Sequence, residues 1–251
     1  MLVDAHAHLD QYGSSWPEVL EEIKRLEILT LAVSMDPPSF ERTRGLCANQ
    51  PLLIPAFGVH PWKAPGWEKR LSELDRYVDE APALGEVGLD FHFVEDESAY
   101  GPQREVFEYF LDAASRTGKL LNIHTKGAED EIARRLHDAS VPSVIVHWYS
   151  GPLGPMHELL DDGAHFTVGV ELLRSPLIEK IARRIPEDRI LTETDNPGGW
   201  QWLKGMPGRP SLLPRVLDRL AEVRGVARER MEEIVASNAT RLVGLGPGET
   251  A

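Results

Sequence analysis

The chain opens with the stretch Leu2-Val3-Asp4-Ala5-His6-Ala7-His8, an apolar, strand-like run that ends in two histidines. Side chains on a strand alternate between its two faces, so the imidazoles of His6 and His8 point the same way. Two imidazoles on one face at a strand end can bind a single divalent ion. This stretch therefore predicts a first strand that carries part of a metal site.

The rest of the chain alternates between short apolar runs and amphipathic stretches. Runs rich in Val, Ile and Leu are typical of strands buried on both faces of a parallel sheet. The eight predicted strands are residues 2–6, 28–34, 53–60, 83–87, 120–124, 143–147, 165–170 and 189–194. Helices are predicted between them, clearly at 18–25, 71–78 and 103–117, and two more at 211–245.

Eight strand–helix units in about 250 residues match the usual size of a (β/α)8 TIM barrel. We predict a single α/β domain over residues 1–251, with an extra C-terminal helix packed across the barrel floor. An open doubly wound sheet would show the same alternation. No Gly-rich phosphate-binding loop follows the first strand, however, and this favours the barrel.

The charge balance limits the class of partner. The chain has 27 basic and 40 acidic residues, a formal net charge of -13 at pH 7. That balance argues against an extensive basic DNA-binding surface. It still allows a nucleic acid end, or a small phosphodiester or ester substrate, held by metals and a few local cations.

The cysteine count and the hydropathy pattern indicate the cellular setting. Cys47 is the one cysteine, so no internal disulfide can form, which fits a reducing cytoplasm. No stretch approaches the roughly 20 apolar residues of a membrane span, and no signal segment is evident at the start. We expect a soluble cytoplasmic protein with no membrane partner, as a monomer or small homo-oligomer.

Six metal-binding side chains lie at or just past the ends of predicted strands. They are His6, His8, Glu86, His124, His147 and Asp195. In a barrel the C-terminal strand ends converge on one face. Six ligands exceed the three protein ligands that one catalytic metal needs, so we predict two divalent ions (Zn, Mn, Mg, Ni or Fe) with Glu86 bridging them.

A hydrolytic mechanism follows from such a site. Asp195 is the predicted general base towards a water activated by the metals, with Glu86 as the second catalytic carboxylate. His60 and Lys126 are candidates for binding a substrate phosphate, although His60 could equally be structural or a seventh metal neighbour, and Lys126 a solvated cation. The loop 198–210 contains two tryptophans, which either form a lip for a nucleotide end or fill a gap beside the barrel.

Seven motifs, in order along nearly the whole chain, resemble the TatD family of metal-dependent hydrolases. They are Asp4-Ala5-His6-Ala7-His8-Leu9-Asp10, Gly58-Val59-His60-Pro61, Gly85-Glu86-Val87-Gly88-Leu89-Asp90, His124-Thr125-Lys126, His147-Trp148-Tyr149-Ser150-Gly151, Glu193-Thr194-Asp195-Asn196-Pro197 and Ser237-Asn238-Ala239-Thr240-Arg241-Leu242. The chain departs from the family pattern in two places. Lys126 stands where an Arg is frequent, and Trp148-Tyr149 replaces a more usual Cys-Phe.

The resemblance implies a distorted TIM barrel with two metals. It places one metal on His6, His8, Glu86 and Asp195, and the other on Glu86, His124 and His147. It also implies phosphodiester hydrolysis, because characterised relatives are described as deoxyribonucleases, several of them exonucleases.

We therefore predict a metal-dependent phosphodiesterase or deoxyribonuclease. One alternative is a hydrolase of a small ester, amide or lactone, or of an aminoacyl-tRNA ester. A non-catalytic binding protein is a third hypothesis, and the intact ligand set argues against it.

Overall fold

Eight β-strands alternate with ten α-helices in a computed structural model, which describes residues 1–244. The strands β1 to β8 are Leu2–Ala7, Ile28–Val33, Leu53–Phe57, Ala83–Asp90, Leu121–Lys126, Val144–Val146, His165–Val168 and Ile190–Thr192. The helices α1 to α10 are Trp16–Leu26, Pro37–Cys47, Asp75–Glu80, Tyr100–Thr117, Glu129–Ala139, Leu153–Asp161, Pro176–Ala182, Gly198–Lys204, Leu213–Arg224 and Arg228–Leu242.

The strands form one sheet in the order β1 to β8. Neighbouring strands pair in parallel, as in β1 with β2 and β4 with β5. Ala7 of β1 also forms a parallel bridge with Asn196, just beyond β8, so the strand order closes on itself. This is the (β/α)8 TIM barrel that the sequence predicts. All eight predicted strands are present, but β3 ends at Phe57, so His60 lies beyond the strand rather than at its end.

The chain divides into two compact units. One consists of Met1–Ala32, Thr43–Ile54 and Phe166–Ala251, and the other of Val33–Arg42 and Pro55–His165. The first unit carries β1, β8 and nearly all of β2 and β7, and the second carries most of β3 and all of β4 to β6. The organisation as a single domain over residues 1–251 stays a prediction.

The core of the second unit is built around aromatic side chains. The ring of Phe57 lies 5.2 Å from that of Phe40 and 5.6 Å from that of Phe110, and all three residues are fully buried. Burying one such side chain stabilises a fold by about 1.5 to 3 kcal/mol. Helix α4 ends before Gly118, which adopts a left-handed φ of 71° and donates its N–H to Ala114 O, an arrangement typical of a helix C-terminus.

The extra C-terminal helix belongs to the first unit. The Asn238 side chain of α10 donates hydrogen bonds to Ile190 O at 2.8 Å and to Glu187 O at 2.9 Å, both at the amino-terminal end of β8. The amino group of Met1 pairs with Glu232 of the same helix at 2.9 Å. These contacts place α10 against the starts of β1 and β8, as predicted. The prediction ran to Leu245, which lies outside the described residues. No helix within residues 1–244 is long and apolar enough to cross a membrane.

Two strands lose their regular register beside predicted metal ligands. The pairing of β1 with β2 shifts between Asp4 and Ala7, and the pairing of β4 with β5 shifts between Leu84 and Val87. Such irregularities redirect individual side chains and are frequent beside active sites. His6 and Glu86 lie within these two intervals.

Glycines in the second unit allow strands to approach closely around Glu86. A Cβ atom on Gly88, whose φ is +144°, would lie 2.0 Å from His124 O. A Cβ on Gly58 would lie 2.4 Å from Glu86 O. Real Cβ atoms do not approach backbone that closely, which is the physical reason for glycine at both positions.

Candidate metal centre

The six predicted ligands form two groups, each within one compact unit. In the first unit, His6 Nε2 lies 3.3 Å from His8 Nε2, and Asp195 Oδ1 lies 3.6 Å and 3.4 Å from these two nitrogens. Ligand atoms of a tetrahedral site with metal–nitrogen distances of about 2.0 Å are separated by about 3.3 Å. The donor set of this first group therefore fits a divalent ion such as Zn²⁺.

Backbone hydrogen bonds fix Asp195 against the end of β1. Its N–H donates to His6 O at 3.0 Å, and the N–H of His8 donates to Asn196 O at 2.8 Å. Asp195 has a positive φ of 49°, a left-handed conformation that is uncommon outside glycine. The turn after β8 thus aims the Asp195 carboxylate at the two imidazoles.

Asp4 supports the same turn from inside β1. Its buried carboxyl accepts hydrogen bonds from the Thr194 N–H at 2.9 Å and the Thr194 hydroxyl at 2.6 Å. Burial raises the pKa of Asp4 to about 7, although the bonds from Thr194 act in the opposite direction. The first group is therefore held by a second carboxyl that does not belong to the ligand set.

In the second unit, Glu86 Oε1 lies 2.9 Å from both His124 Nδ1 and His147 Nε2. These two nitrogens are 3.3 Å apart, and all three residues are buried. The carboxylate and imidazole donors of this second group again converge as ligands of a divalent ion do.

Asp90 orients His124 for that role. Asp90 Oδ2 lies 3.1 Å from His124 Nε2, so a neutral imidazole carries its proton on Nε2 and presents the lone pair of Nδ1 to the second group. Asp90 is itself fixed by hydrogen bonds from the Trp62 indole at 2.6 Å and the Phe93 N–H at 2.8 Å. Burial favours the neutral carboxyl, but the hydrogen bonds from His124, the Phe93 N–H and the Trp62 indole outweigh it and hold the pKa of Asp90 well below its usual range.

Sequence reasoning missed this role of Asp90. A signal was available, because Glu86, Gly88 and Asp90 are two residues apart and share one face of β4. Gln103, which the sequence marks only as the beginning of a helix, bonds both the N–H and the carbonyl of Asp90, at 2.8 and 3.2 Å.

His60 lies beside the second group, with Nε2 at 3.5 Å from Glu86 Oε1. Its Nδ1 accepts the N–H of Trp62 at 3.1 Å, so the neutral ring carries its proton on Nε2. A protonated nitrogen donates a hydrogen bond and does not bind a metal. His60 could hold a metal ion together with Glu86 and His124 by distance alone, but in this tautomer it presents an N–H donor to the site.

Lys126 joins β5 to the segment after β6. Its ammonium group donates to Trp148 O at 2.6 Å and to Ser150 Oγ at 2.9 Å. The nitrogen also lies 5.9 Å from the centre of the Trp148 ring, which places the cation near an aromatic face. Lys126 and Trp148 both depart from the family pattern, and these contacts join them in one structural role.

The segment after β8 is not all loop, since Gly198–Lys204 forms α8. Trp200 lies between two cations, with Lys204 Nζ at 5.8 Å and the Arg215 guanidinium at 5.7 Å from its ring centre. Trp202 is 65% exposed. A side chain this exposed does not fill a gap beside the barrel, so that interpretation does not apply to Trp202.

We expect Asp90→Asn to weaken metal binding by the second group about 10- to 100-fold, the usual cost of losing a partner that orients a metal-bound histidine. The amide can donate to His124 Nε2 and so drive the imidazole proton onto Nδ1, where it competes with the metal. Titration with a chelating metal indicator measures the effect.

The matched control is Glu95→Gln, which makes the same chemical change at an exposed position in the same unit. Unchanged metal affinity in Asp90→Asn would contradict the orienting role.

Comparisons with known proteins identify the family of this chain. A family model described as TatD related DNase matches residues 3–244. The uncharacterized metal-dependent hydrolase YabD of Bacillus subtilis is 28% identical over 96% of this chain and 98% of its own. Deoxyribonuclease TATDN3 of Homo sapiens is 28% identical over 96% of this chain and 94% of its own. The solved structure of YJJV, a TatD homologue from Escherichia coli, has a TM-score of 0.89 at 22% identity, covering 98% of both chains. The family resemblance is thereby confirmed, and the chain belongs to the TatD related DNase family of metal-dependent hydrolases.

Proposed function

We propose that the chain hydrolyses phosphodiester bonds as a deoxyribonuclease, acting at a nucleic acid end or on a small phosphodiester. The observation that carries the proposal is the pair of ligand groups, each with three donor atoms within 3.6 Å of one another. Membership of the TatD family supports the phosphodiester as the bond that is cleaved.

In this proposal the two groups hold the two divalent ions of one centre. His6, His8 and Asp195 would hold one ion, His124 and His147 would hold the other, and Glu86 would be the ligand that both ions share. The barrel topology supports this, because active sites of TIM barrels gather at the C-terminal strand ends. Bound ions would supply Lewis-acid activation of a water and of a phosphoryl oxygen.

Asp195 is the proposed general base. Its side chain is 20% exposed, whereas those of His6 and Glu86 are 0% and 2% exposed. The Asp195 carboxylate is therefore the one a water can reach while it faces the His6–His8 pair. It takes the proton of the attacking water, and its backbone hydrogen bonds keep it in place as it does so.

His60 and Lys126 are the proposed phosphate-binding residues. The Nε2–H of His60 faces Glu86 and can donate to a phosphoryl oxygen placed there. Lys126 brings a positive charge to the end of β5, where its contacts with Trp148 and Ser150 hold it. Each would stabilise the negative charge of the substrate.

A second candidate is a hydrolase of small esters, amides or lactones, or of an aminoacyl-tRNA ester. The observation that favours it is the net charge of -13, together with the exposed acidic segment Glu95-Asp96-Glu97 after β4. Both disfavour the approach of a long polyanion.

Activity assays on metal-reconstituted protein distinguish the two candidate functions. Chelator-stripped protein, reloaded separately with Mg, Mn, Zn, Ni or Co, is given end-labelled single- and double-stranded DNA and a panel of small esters, amides and lactones. Glu86→Ala provides the blank. Metal-dependent shortening of DNA that the blank lacks supports the proposal. Turnover of a small substrate with DNA intact would replace it by the second candidate.

A further inference from the structure

Two exposed aromatic side chains lie beside the second ligand group. Trp62 is 52% exposed and Phe93 is 47% exposed, and their ring centres are 6.4 Å apart in an edge-to-face arrangement. Large aromatic side chains normally contribute to the core, so an exposed pair beside a proposed active site points to ligand contact.

The Trp62 ring is close to the residues of the proposed chemistry. Its centre lies 4.7 Å from the ring of His60 and 6.5 Å from the ring of His124. The base of a single nucleotide is separated from its phosphate by one sugar, which suits a phosphate at the ligands and a base against the aromatic pair.

Hydrogen bonds hold Trp62 in this position before any ligand arrives. Its indole N–H donates to Asp90 at 2.6 Å, and its backbone N–H donates to His60 Nδ1 at 3.1 Å. The indole N–H is thereby used within the protein, and the ring face is what remains for recognition. A ring fixed in advance loses little conformational entropy when it stacks on a ligand.

The local charge limits which ligands can bind against Trp62 and Phe93. The exposed anionic segment Glu95-Asp96-Glu97 begins two residues after Phe93 and disfavours a nucleic acid backbone that continues across it. A terminal nucleobase is uncharged and can stack on the aromatic pair without crossing the acidic segment.

We propose that Trp62 and Phe93 form a stacking subsite for the nucleobase at the end of a single nucleic acid strand. This inference rests on the proposed phosphodiester hydrolysis and names the substrate feature that the site recognises. Recognition is tolerant of sequence, because every base offers a π-face and stacking uses no base-specific hydrogen bond.

The test compares thymidine 5′-monophosphate with 2-deoxyribose 5-phosphate, which lacks the base, by calorimetric binding to metal-loaded protein. We expect wild type to prefer the nucleotide by about 10-fold, a typical effect of stacking one base. Phe93→Leu and Trp62→Leu should bring the ratio towards one. Trp62→Phe should keep most of the preference for the nucleotide because it retains an aromatic ring. It loses the hydrogen bond to Asp90, so it separates stacking from that bond. Metal content of each variant is measured in parallel.

The outcomes separate this inference from the function on which it rests. Equal binding of both compounds by wild type would overturn the subsite alone. Failure to bind either compound would overturn the phosphodiester proposal and the subsite with it. Loss of preference in Trp62→Phe equal to that in Trp62→Leu would show that Trp62 acts through Asp90, and would also overturn stacking. Leu177→Ala, which removes an exposed apolar side chain in the other unit, should leave the ratio unchanged.

Discussion

Asp195→Asn is expected to lower kcat about 10³-fold at saturating metal, within the range found for loss of a general base. The amide has nearly the same shape as the carboxylate but cannot take the proton of the attacking water. The fold should persist, because the backbone bonds that fix this residue, from Asp195 N–H to His6 O and from Gly199 N–H to Asp195 O, do not involve the side chain.

The measurement is turnover of a phosphodiester over a range of metal concentrations, with thermal unfolding and metal content recorded for the same sample. Asp188→Asn is the matched control, since Asp188 belongs to the same unit and its side chain is 61% exposed. Near-full turnover by Asp195→Asn with metal bound would remove this residue from the role of general base.

Glu86→Gln is expected to abolish metal binding by the second group and to lower turnover by more than about 100-fold. Loss of a residue that only orients a ligand costs at most about 100-fold, and loss of a ligand itself should cost more. Glu86 Oε1 is the common neighbour of His124 and His147, at 2.9 Å from each. A neutral amide is a weaker ligand than a carboxylate, and its NH₂ group can face imidazole lone pairs instead of a cation.

Metal content and turnover are measured together on metal-reloaded protein. Glu86→Asp separates charge from reach, because it keeps the carboxylate on a shorter side chain. Circular dichroism checks that each variant is folded. Full metal content with unchanged turnover in Glu86→Gln would contradict both the ligand role and the bridging role.

The strands and the positions of the candidate ligands at strand ends could be predicted because both depend on local pattern. Strands of a parallel sheet are buried on both faces, so they stand out as apolar runs between polar segments. The candidate ligands follow such runs, as His147 follows β6. This order along the chain is visible without knowledge of the fold. The pairing of His6 with His8 on one strand face follows directly from the two-residue period.

What escaped prediction depends on contacts between distant segments. The proton position on His124 depends on Asp90, which lies 34 residues away, and Asp90 in turn depends on Trp62, another 28 residues away. Local pattern carries no information about such a chain of hydrogen bonds. His60 illustrates the same limit, since only its bond with the Trp62 N–H distinguishes a donor from a ligand.

Helix α8 shows tertiary context overriding local propensity. It begins at Gly198-Gly199, and glycine disfavours a helix by about 1 kcal/mol relative to alanine. The Gly199 N–H donates to Asp195 O at 2.6 Å, so the turn that positions a proposed ligand also begins this helix. A segment that propensity marks as loop is therefore helical at its start.

The most direct test of the two-metal centre is anomalous diffraction from crystals of the metal-reloaded protein. The account predicts two metal peaks about 3.5 to 4 Å apart. One should be bound by His6, His8 and Asp195 and the other by His124 and His147, with Glu86 between them. A single peak at full metal loading, or two peaks without Glu86 between them, would contradict it.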